Sequence, residues 1–489
     1  MPAQTDPRLD LDDIQGDVLV GLQKNAEMFM FFRIADVAGF KMLLRQHIAS
    51  RLTSTRRVLD RERVAARERL QGPRFTHPWE SLNLAFTKDG LDRLLGPGRP
   101  LLDSGFERGA DHPDTIAALN DPPVASWLPA FRSGRIDGAF LLAGPNRRFV
   151  DTQASHLLSM LSGIVTAVYS EIGQVRPGRE RGHEHFGFLD GISQPAIRGL
   201  TRPSRRHHGS DQVLPGQDAI WPGEFVYGYP MQDPHAADQP GPIAAPPAVW
   251  ARNGSYMVVR RLEQLVPEFR AFVAAEAKRL GMYPALLGSR LVGRWQSGAP
   301  LELAPLDDNP RIGAEPMRNN DFDYRDDPFQ RRCPYAAHIR KANPRDDPPR
   351  GTAESLRHRI VRAAIPFGPE VGPGETRTEH SRGLIFVCYQ IDIGRQFEFI
   401  QRRYADNPYF VGGKTRPDTG QPVHPGYDPI IGQAPGNGER SMDEPVPNYP
   451  TGNRRSSLNL MQQFVIPTAS SYLFVPSISA VRTALSAAG

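Results

Sequence analysis

The stretch Asp137-Gly138-Ala139-Phe140-Leu141-Leu142-Ala143-Gly144 is short, apolar and followed by turn residues, which predicts a buried strand. A helical pattern follows over residues 150–161, and the β-rich run 165–171 predicts another strand. Upstream, apolar runs at residues 28–34 and 82–87 predict two strands separated by a helical pattern. This part of the chain therefore predicts strand–helix–strand twice in succession.

The same order occurs again after residue 250. A β-rich run at residues 255–260 precedes an amphipathic helix at 267–280. Strand-like runs follow at residues 360–368 and 383–389, and a closing strand is predicted at 472–475. The two halves share this pattern without evident sequence identity.

These patterns predict an α+β protein built from two ferredoxin-like domains with antiparallel sheets. We expect the N-terminal domain at residues 1–200, ending in a turn that carries Asp190. Residues 201–250 are rich in Pro, Asp, His and Gly, and are predicted to be a linker passage. The C-terminal domain is expected at residues 251–489, with a long loop at about residues 405–465.

Composition narrows the class of protein. The chain has 489 residues, of which 39% are hydrophobic and 23% charged, as in ordinary globular proteins. A net charge of +5 over this length is too weak to indicate nucleic-acid binding, and two cysteines give no disulfide framework. No run of about 18 apolar residues indicates a membrane span, and the start of the chain lacks the pattern of an export signal. We therefore expect a cytoplasmic protein with no membrane or nucleic-acid partner.

The run Gly187-Phe188-Leu189-Asp190-Gly191-Ile192-Ser193-Gln194-Pro195 is the first candidate for chemistry. Glycines on both sides of a lone carboxylate allow a tight turn and the close approach of a flat ligand. The simpler interpretation is that Asp190 caps its own turn, as Asp often does.

His338 and Arg362 are the other candidates. Any one of the thirteen histidines is usually an ordinary side chain, but a single imidazole suffices as an axial ligand of haem. Arg362 lies within an apolar run, and a buried guanidinium must be paired or face a polar cavity.

Three segments together resemble the dye-decolourising peroxidases, in their larger, fungal-like branch. They are the run Phe186 to Pro195, the pattern His338-Ile339-Arg340-Lys341-Ala342-Asn343-Pro344-Arg345 after Cys333-Pro334, and the strand Ile360 to Gly368. Similarity extends from the opening Asp13-Ile14-Gln15-Gly16-Asp17 to the last strand. The resemblance implies a barrel-like pair of α+β domains, with haem b held mainly by the C-terminal one.

The resemblance also implies roles for individual residues. His338 falls on the position of the iron ligand, while Asp190 and Arg362 fall on those of the catalytic acid–base and the distal arginine. Arg340 and Arg345 are then expected to bind the haem propionates.

A haem-bound histidine usually donates its other N–H to an acceptor. We predict that this acceptor is Asp392, with Glu398 as the second choice.

The function implied is reduction of hydrogen peroxide with one-electron oxidation of dyes, phenols or other aromatic donors. One alternative is a haem-binding or iron-releasing protein, which would need His338 but not Asp190. Another is a hydrolase that uses Asp190 with a second carboxylate such as Glu184. A Soret band in the purified protein separates the hydrolase from both haem proteins.

Overall fold

The structure is a computed structural model that describes residues 7–71, 79–98, 103–132, 136–200, 213–347, 351–416, 419–445 and 455–487. The strands are β1 (Ala26–Ile34), β2 (Ser81–Phe86), β3 (Gly138–Gly144), β4 (Val165–Gln174), β5 (Ala196–Ile197), β6 (Ala219–Ile220), β7 (Pro230–Gln232), β8 (Pro240–Ile243), β9 (Ser255–Gln264), β10 (Val361–Arg362), β11 (Ile365–Phe367), β12 (Gly383–Gln390), β13 (Ser441–Pro445), β14 (Arg455–Asn459) and β15 (Val465–Val475). The helices are α1 (Gly16–Val20), α2 (Val37–Leu43), α3 (Ala49–Arg51), α4 (Thr55–Gln71), α5 (Lys88–Leu95), α6 (Ser104–Arg108), α7 (Pro113–Ala118), α8 (Arg147–Met160), α9 (Val266–Leu280), α10 (Pro284–Val292), α11 (Pro310–Ala314), α12 (His338–Ala342), α13 (Gly351–Leu356), α14 (Phe397–Phe399) and α15 (Ile478–Arg482).

The main sheet is antiparallel and closes into a barrel. Its strand order is β10-β12-β11-β4-β1-β3-β2-β15-β9, and β12 also pairs with β9. In the first half the order is β4-β1-β3-β2, and in the second it is β15-β9-β12-β11. Numbered within each half, both read fourth, first, third, second. The prediction of two ferredoxin-like halves is confirmed, as is their barrel-like association.

Two seams join the halves. Phe367 of β11 pairs with Gly173 of β4, and Phe474 of β15 pairs with Phe86 of β2. The barrel interior is filled from both halves by one apolar cluster, which includes Phe29, Leu141, Val259, Val387 and Leu473. The other face of the first half packs against its helices in a second cluster, centred on Phe32 and Phe40. Alternation along each strand thus separates an inner from an outer face.

The same alternation positions a cavity on the outer face of the second half. On β12, Ile385 and Val387 point into the barrel, whereas Leu384 and Phe386 line the cavity. On β9, Val259 points inwards, whereas Arg260 and Leu262 line the cavity. Because one barrel face is already filled, any ligand of this half must bind on the outer face.

Some predicted elements differ from those observed. The single strand predicted at 360–368 is divided into β10 and β11, which both pair with β12. The region predicted as a long loop contains the β13–β14 hairpin. In the predicted linker, residues 201–212 lie outside the described residues, while Phe225 and Val226 are buried in the barrel core. Residues 213–250 are therefore part of the packed fold, and the domain boundaries themselves stay a prediction.

Among the described residues, no helix combines the length and apolar character needed to cross a membrane.

Gly173→Ala is expected to lower the free energy of unfolding by roughly 1–3 kcal/mol, the usual effect of overpacking. A Cβ at this position would lie 2.3 Å from Cγ2 of the buried Ile365, beside the β4–β11 seam. Urea denaturation measures the change. Gly372→Ala is the control, because its Cβ would have no neighbour closer than 3.9 Å. Equal stability of the two variants would contradict tight packing at this seam.

Candidate functional site

The cavity on the outer face of the second half has a volume of about 270 Å³. Asp190, His338, Arg345 and Arg362 all line it, although they are up to 172 positions apart in the sequence. Asp190 comes from the loop after β4, His338 and Arg345 from α12 and the turn after it, and Arg362 from β10. The structure thus brings together four of the six site residues predicted from the sequence.

Asp190 and Arg362 form a loose ion pair at the cavity wall. Nη1 of Arg362 lies 3.4 Å from Oδ1 of Asp190, and its Nη2 donates to the carbonyl oxygen of Ser193 over 3.1 Å. Oδ1 of Asp190 also accepts from the backbone N–H of Gly191. Within the described residues Oδ2 has no hydrogen-bond partner. The arrangement therefore offers one carboxylate oxygen and a cation to a small polar ligand.

Backbone contacts fix the position of Arg362. Gln194 donates to the carbonyl oxygen of Arg362 over 2.8 Å and accepts from its N–H over 3.2 Å. The Ser193-Gln194 turn that follows Asp190 thus grips β10 by its main chain. This contact couples the turn predicted from glycine spacing to the arginine predicted from its apolar strand.

Within the described residues, His338 makes a hydrogen bond through one ring nitrogen only. Nδ1 lies 2.8 Å from Oδ2 of Asp428, whose Oδ1 accepts from the N–H groups of Ile430 and Ile431. Since a carboxylate can only accept, Nδ1 carries a proton, and in the neutral ring Nε2 is therefore the nitrogen with the lone pair. His338 is deep in the protein, and its side chain is 26% exposed because it borders the cavity.

The pKa values of this pair reflect their attraction. Burial opposes the charged form of each group. For His338, the charge and hydrogen bond of Asp428 outweigh burial and raise the pKa. The pKa of Asp428 is lowered, because two effects together outweigh burial. They are the charge and hydrogen bond of His338 and the hydrogen bonds from the N–H groups of Ile430 and Ile431. Asp428 is therefore held as a carboxylate that fixes the ring of His338.

Asp392 was the wrong prediction for this acceptor. Its carboxylate accepts from the N–H and Nε of Arg395, three residues further on, and its side chain is 44% exposed. The second choice, Glu398, is buried and accepts from the hydroxyl of Tyr472. Neither side chain lines the cavity that His338 borders.

The structure also contradicts the prediction that Arg340 binds a haem propionate. Its side chain is fully buried outside the cavity, where it donates to Asp327, Asp347 and the carbonyl oxygen of Cys333. These five contacts use all five N–H groups of the guanidinium. No donor remains for a ligand, so Arg340 stabilises the segment that carries His338.

Arg345 lies at the cavity, as predicted, among further arginines. Its Nη1 and Nη2 donate to Phe322 and Asn320, while its buried Nε has no partner. Arg294 donates to nearby carbonyl groups, and burial, with the charge of Arg345, lowers its pKa to about 9. Arg359 pairs with Asp218 over 3.2 Å and keeps an unpartnered, buried Nε. Within the described part of the chain, no carboxylate lies within 4 Å of a nitrogen of Arg294 or Arg345, so this end of the cavity attracts an anion.

Glu184 lines the cavity, but its carboxylate is engaged. The backbone N–H groups of Phe186 and Phe188 each donate to it over 2.8 Å, and the side-chain amide of Gln264 donates as well. A glycosidase-like pair with Asp190 would require a second carboxyl group that is free to exchange a proton. The geometry therefore disfavours the hydrolase.

Two family models match the chain. The DyP dimeric alpha+beta barrel domain matches residues 13–177, and the C-terminal domain of Dyp-type peroxidases matches residues 234–409. The chain belongs to the dye-decolorizing peroxidase family. The closed α+β barrel agrees with the barrel domain that the first family model describes.

Individual relatives are similar over nearly their whole length. Dye-decolorizing peroxidase msp1 of Mycetinis scorodonius is 38% identical over 99% of this chain and 89% of its own. The crystal structure of a fungal DyP-type peroxidase from Auricularia auricula-judae has a TM-score of 0.82 and 36% identity, over 98% of this chain and 100% of that one. A dye-decolorizing peroxidase in complex with 2,6-dimethoxyphenol has a TM-score of 0.80 and 35% identity, with the same coverage.

Sequence reasoning missed Asp428 and Arg359. Asp428 lies in a Pro- and Gly-rich region without periodicity, 90 positions after its partner, so no local pattern indicates it. Arg359 stands three residues before Arg362, just outside the apolar run and directly after Arg357 and His358. Its charged neighbours made it look like an ordinary polar residue, so the argument that singled out Arg362 did not include it.

We predict that protonation of His185, in the loop that carries Asp190, lowers the stability of the protein in acid. It is buried, its Nε2–H donates to the carbonyl oxygen of Phe367 over 2.8 Å, and its Nδ1 has no partner. Burial lowers the pKa from 6.5 to about 4. The folded state therefore favours neutral His185, and this stabilisation is complete above pH 6.5 and lost as the pH falls through about 4. At about 1.4 kcal/mol for each pH unit, the loss approaches roughly 3 kcal/mol.

His185→Gln retains a donor for Phe367 but cannot be protonated in this range. Urea denaturation at pH 7, 5.5 and 4 should show the wild type losing this stability relative to the variant. His156→Gln, on the exposed face of α8, is the control. Parallel pH profiles for wild type and His185→Gln would contradict a neutral, buried His185.

Proposed function

We propose that this chain is a haem b peroxidase that reduces hydrogen peroxide and oxidises aromatic donors such as dyes and phenols in one-electron steps. One observation carries the proposal. A single cavity holds an imidazole with a free Nε2 and a carboxylate–guanidinium pair with a free carboxylate oxygen. The relative in complex with 2,6-dimethoxyphenol supports phenols as one class of donor.

The cavity residues fit a haem. Iron protoporphyrin would need a side chain that can bind its iron, an apolar surround and cations for its two propionates. His338 offers Nε2, and its Asp428 partner makes the ring a stronger donor. Arg345 and Arg359 have buried Nε atoms without partners, which suits an anion at that end. Apolar side chains supply much of the remaining lining, including Leu262, Val292, Ile339, Leu384, Phe386, Phe397, Ile400, Ile430 and Ile431.

In this proposal His338 binds the iron, while Arg345, with Arg359 beside it, binds the propionates. The haem supplies the redox chemistry that accepts electrons from aromatic donors and passes them to peroxide. The protein orients the group by one ligand and one charged end, and surrounds it with apolar side chains. Arg340, which the sequence suggested for a propionate, contributes only by stabilising the segment around His338.

Asp190 and Arg362 act on the peroxide. Oδ2 of Asp190 would accept a proton from one oxygen of hydrogen peroxide and return it to the other oxygen, which would leave as water. The two electrons needed to cleave the O–O bond would be supplied by the haem and would remain on the first oxygen, which is thereby fully reduced. Arg362 stabilises the negative charge that develops as the O–O bond breaks, from a position already fixed by Ser193 and Gln194. A haem carrier or iron-releasing protein would need His338 alone. The Asp190–Arg362 pair therefore favours the peroxidase.

His338→Ala should give folded protein with little or no haem, because the axial ligand is lost while both apolar clusters remain. Absorbance in the Soret region, compared with protein concentration, measures haem content. The exposed His156→Ala is the control and should retain haem. Full haem occupancy and an unchanged Soret band in His338→Ala would disprove the assignment of the ligand.

Arg362→Leu should retain haem but react with peroxide about 10²–10³ times more slowly, the usual effect of removing one preorganised donor. Stopped-flow mixing with hydrogen peroxide measures the rate. Arg359→Leu makes the same substitution three residues away and should weaken haem retention more than it slows the peroxide reaction. If Arg362→Leu reacts at the wild-type rate, another cation must stabilise the transition state.

A further inference from the structure

The loop that carries Asp190 folds back on itself before it reaches the cavity. His183 and Leu189 form an isolated antiparallel bridge, and the N–H of Asp190 donates to the carbonyl oxygen of Gly182 over 3.0 Å. Gly187 at the tip has φ +100°, a conformation that L side chains rarely adopt. Asp190 thus directly follows a short hairpin and is hydrogen-bonded to Gly182, which directly precedes the same hairpin.

Glu184 fills the inside of this hairpin. One carboxylate oxygen accepts from the N–H of Phe188 and the other from the N–H of Phe186, each over 2.8 Å. The N–H of Glu184 donates to the carbonyl oxygen of Phe188 over 3.0 Å, and its own carbonyl oxygen accepts from Gly187 over 2.9 Å. Glu184 therefore takes part in four hydrogen bonds within the hairpin.

Two residues attach Glu184 to the rest of the fold. The side-chain amide of Gln264, at the end of β9, donates to its carboxylate. Nη1 of Arg176 donates to its carbonyl oxygen over 2.6 Å, while Nε and Nη2 of Arg176 bind Glu370 over 2.8 and 2.6 Å. The hairpin is thus fixed to β9 and to the segment after β11.

By contrast, Asp190 has weak contacts of its own with the cavity wall. Its link to Arg362 is 3.4 Å long, and its side chain is 34% exposed. Its position therefore depends on the main chain on either side, which is held by the hairpin before it and by the Ser193-Gln194 turn after it. Burial raises the pKa of Glu184, so the fold retains this carboxyl group in an unfavourable environment.

We propose that Glu184 is a positioning residue that holds Asp190 in place for reaction with peroxide. It has no part in proton transfer, because its oxygens are occupied by N–H donors. The inference rests on the proposed peroxidase function, but the state of the hairpin can be measured without that activity.

Glu184→Gln is the decisive variant. A glutamine keeps the size but places an NH₂ group against N–H donors, so at least one hydrogen bond to Phe186, Phe188 or Gln264 is lost. We expect haem content to stay at the wild-type level, since His338 and Asp428 are unaffected. The rate of reaction with hydrogen peroxide should fall roughly ten- to a hundredfold, as expected for a misplaced catalytic group. Hydrogen exchange of the 184–190 amides should become about tenfold faster or more.

A double-mutant cycle with Asp190→Asn separates positioning from general damage. If Glu184 acts through Asp190, Glu184→Gln should slow the wild type but leave Asp190→Asn no slower than before. An unchanged peroxide rate in Glu184→Gln, or the same further slowing in the Asp190→Asn background, would overturn the proposal.

Glu268→Gln is the matched control. Glu268 on α9 also accepts from a backbone N–H, that of Thr378, over 2.7 Å, and also from the Thr378 hydroxyl, but it does not line the cavity. This variant should leave the peroxide rate unchanged. Gln264→Met removes two hydrogen bonds from outside the hairpin, the one it donates to Glu184 and the one it accepts from the N–H of His185, and serves if Glu184→Gln does not fold. It should slow peroxide reaction in the same direction, and again only when Asp190 is present.

The exchange measurement separates a failure of the proposed peroxidase function from a failure of the positioning role of Glu184. If the wild-type protein bound haem but did not react with peroxide, the proposed function would fail, while faster exchange in Glu184→Gln would still show that Glu184 holds the hairpin in place. If exchange in residues 184–190 did not change, Glu184 would not hold the hairpin, whatever the activity.

Discussion

Closure of the barrel is the constraint on which the rest of the structure depends. Each half has one sheet, and the seams β4–β11 and β2–β15 bring the two inner faces together around one apolar core. Because side chains alternate along a strand, closure leaves every second residue of β9 and β12 outside the barrel. The apolar side chains left on the outer face form one wall of the cavity, and they include Leu262, Leu384 and Phe386. The cavity is the space between this wall and the segments that cover it.

Charge compensation distinguishes two arginines that the sequence does not tell apart, Arg340 and Arg345. Arg340 has two carboxylates and two carbonyl oxygens for its five N–H groups, so its charge is neutralised within the fold. Arg345 donates to neutral groups, and its Nε is unused. Both lie in one short motif after His338, and both are cations of the same type. Only the three-dimensional contacts show which of them retains its charge for a ligand.

The sequence was sufficient for the parts of the site that have a local pattern. Asp190 was found from its flanking glycines, Arg362 from its apolar strand, and His338 from a family motif. The succession of strands and helices along each half of the chain also followed from apolar runs and helical periodicity. The partner of His338 did not, because Asp428 lies in an irregular region whose fold depends on tertiary contacts. Asp392 was a reasonable choice by proximity to β12, but the chain reverses there and directs that carboxylate to Arg395.

The contributions of β15 to both the barrel and the cavity have a consequence for biosynthesis. Val465 and Pro467 line the cavity, and the same strand pairs with β9 and with β2, so the last long strand completes both structures at once. While residues up to about 475 are still within the ribosome, the nascent chain has neither a closed barrel nor a complete pocket. We therefore expect the cavity to form only after β15 has left the ribosome, in the same step that closes the barrel.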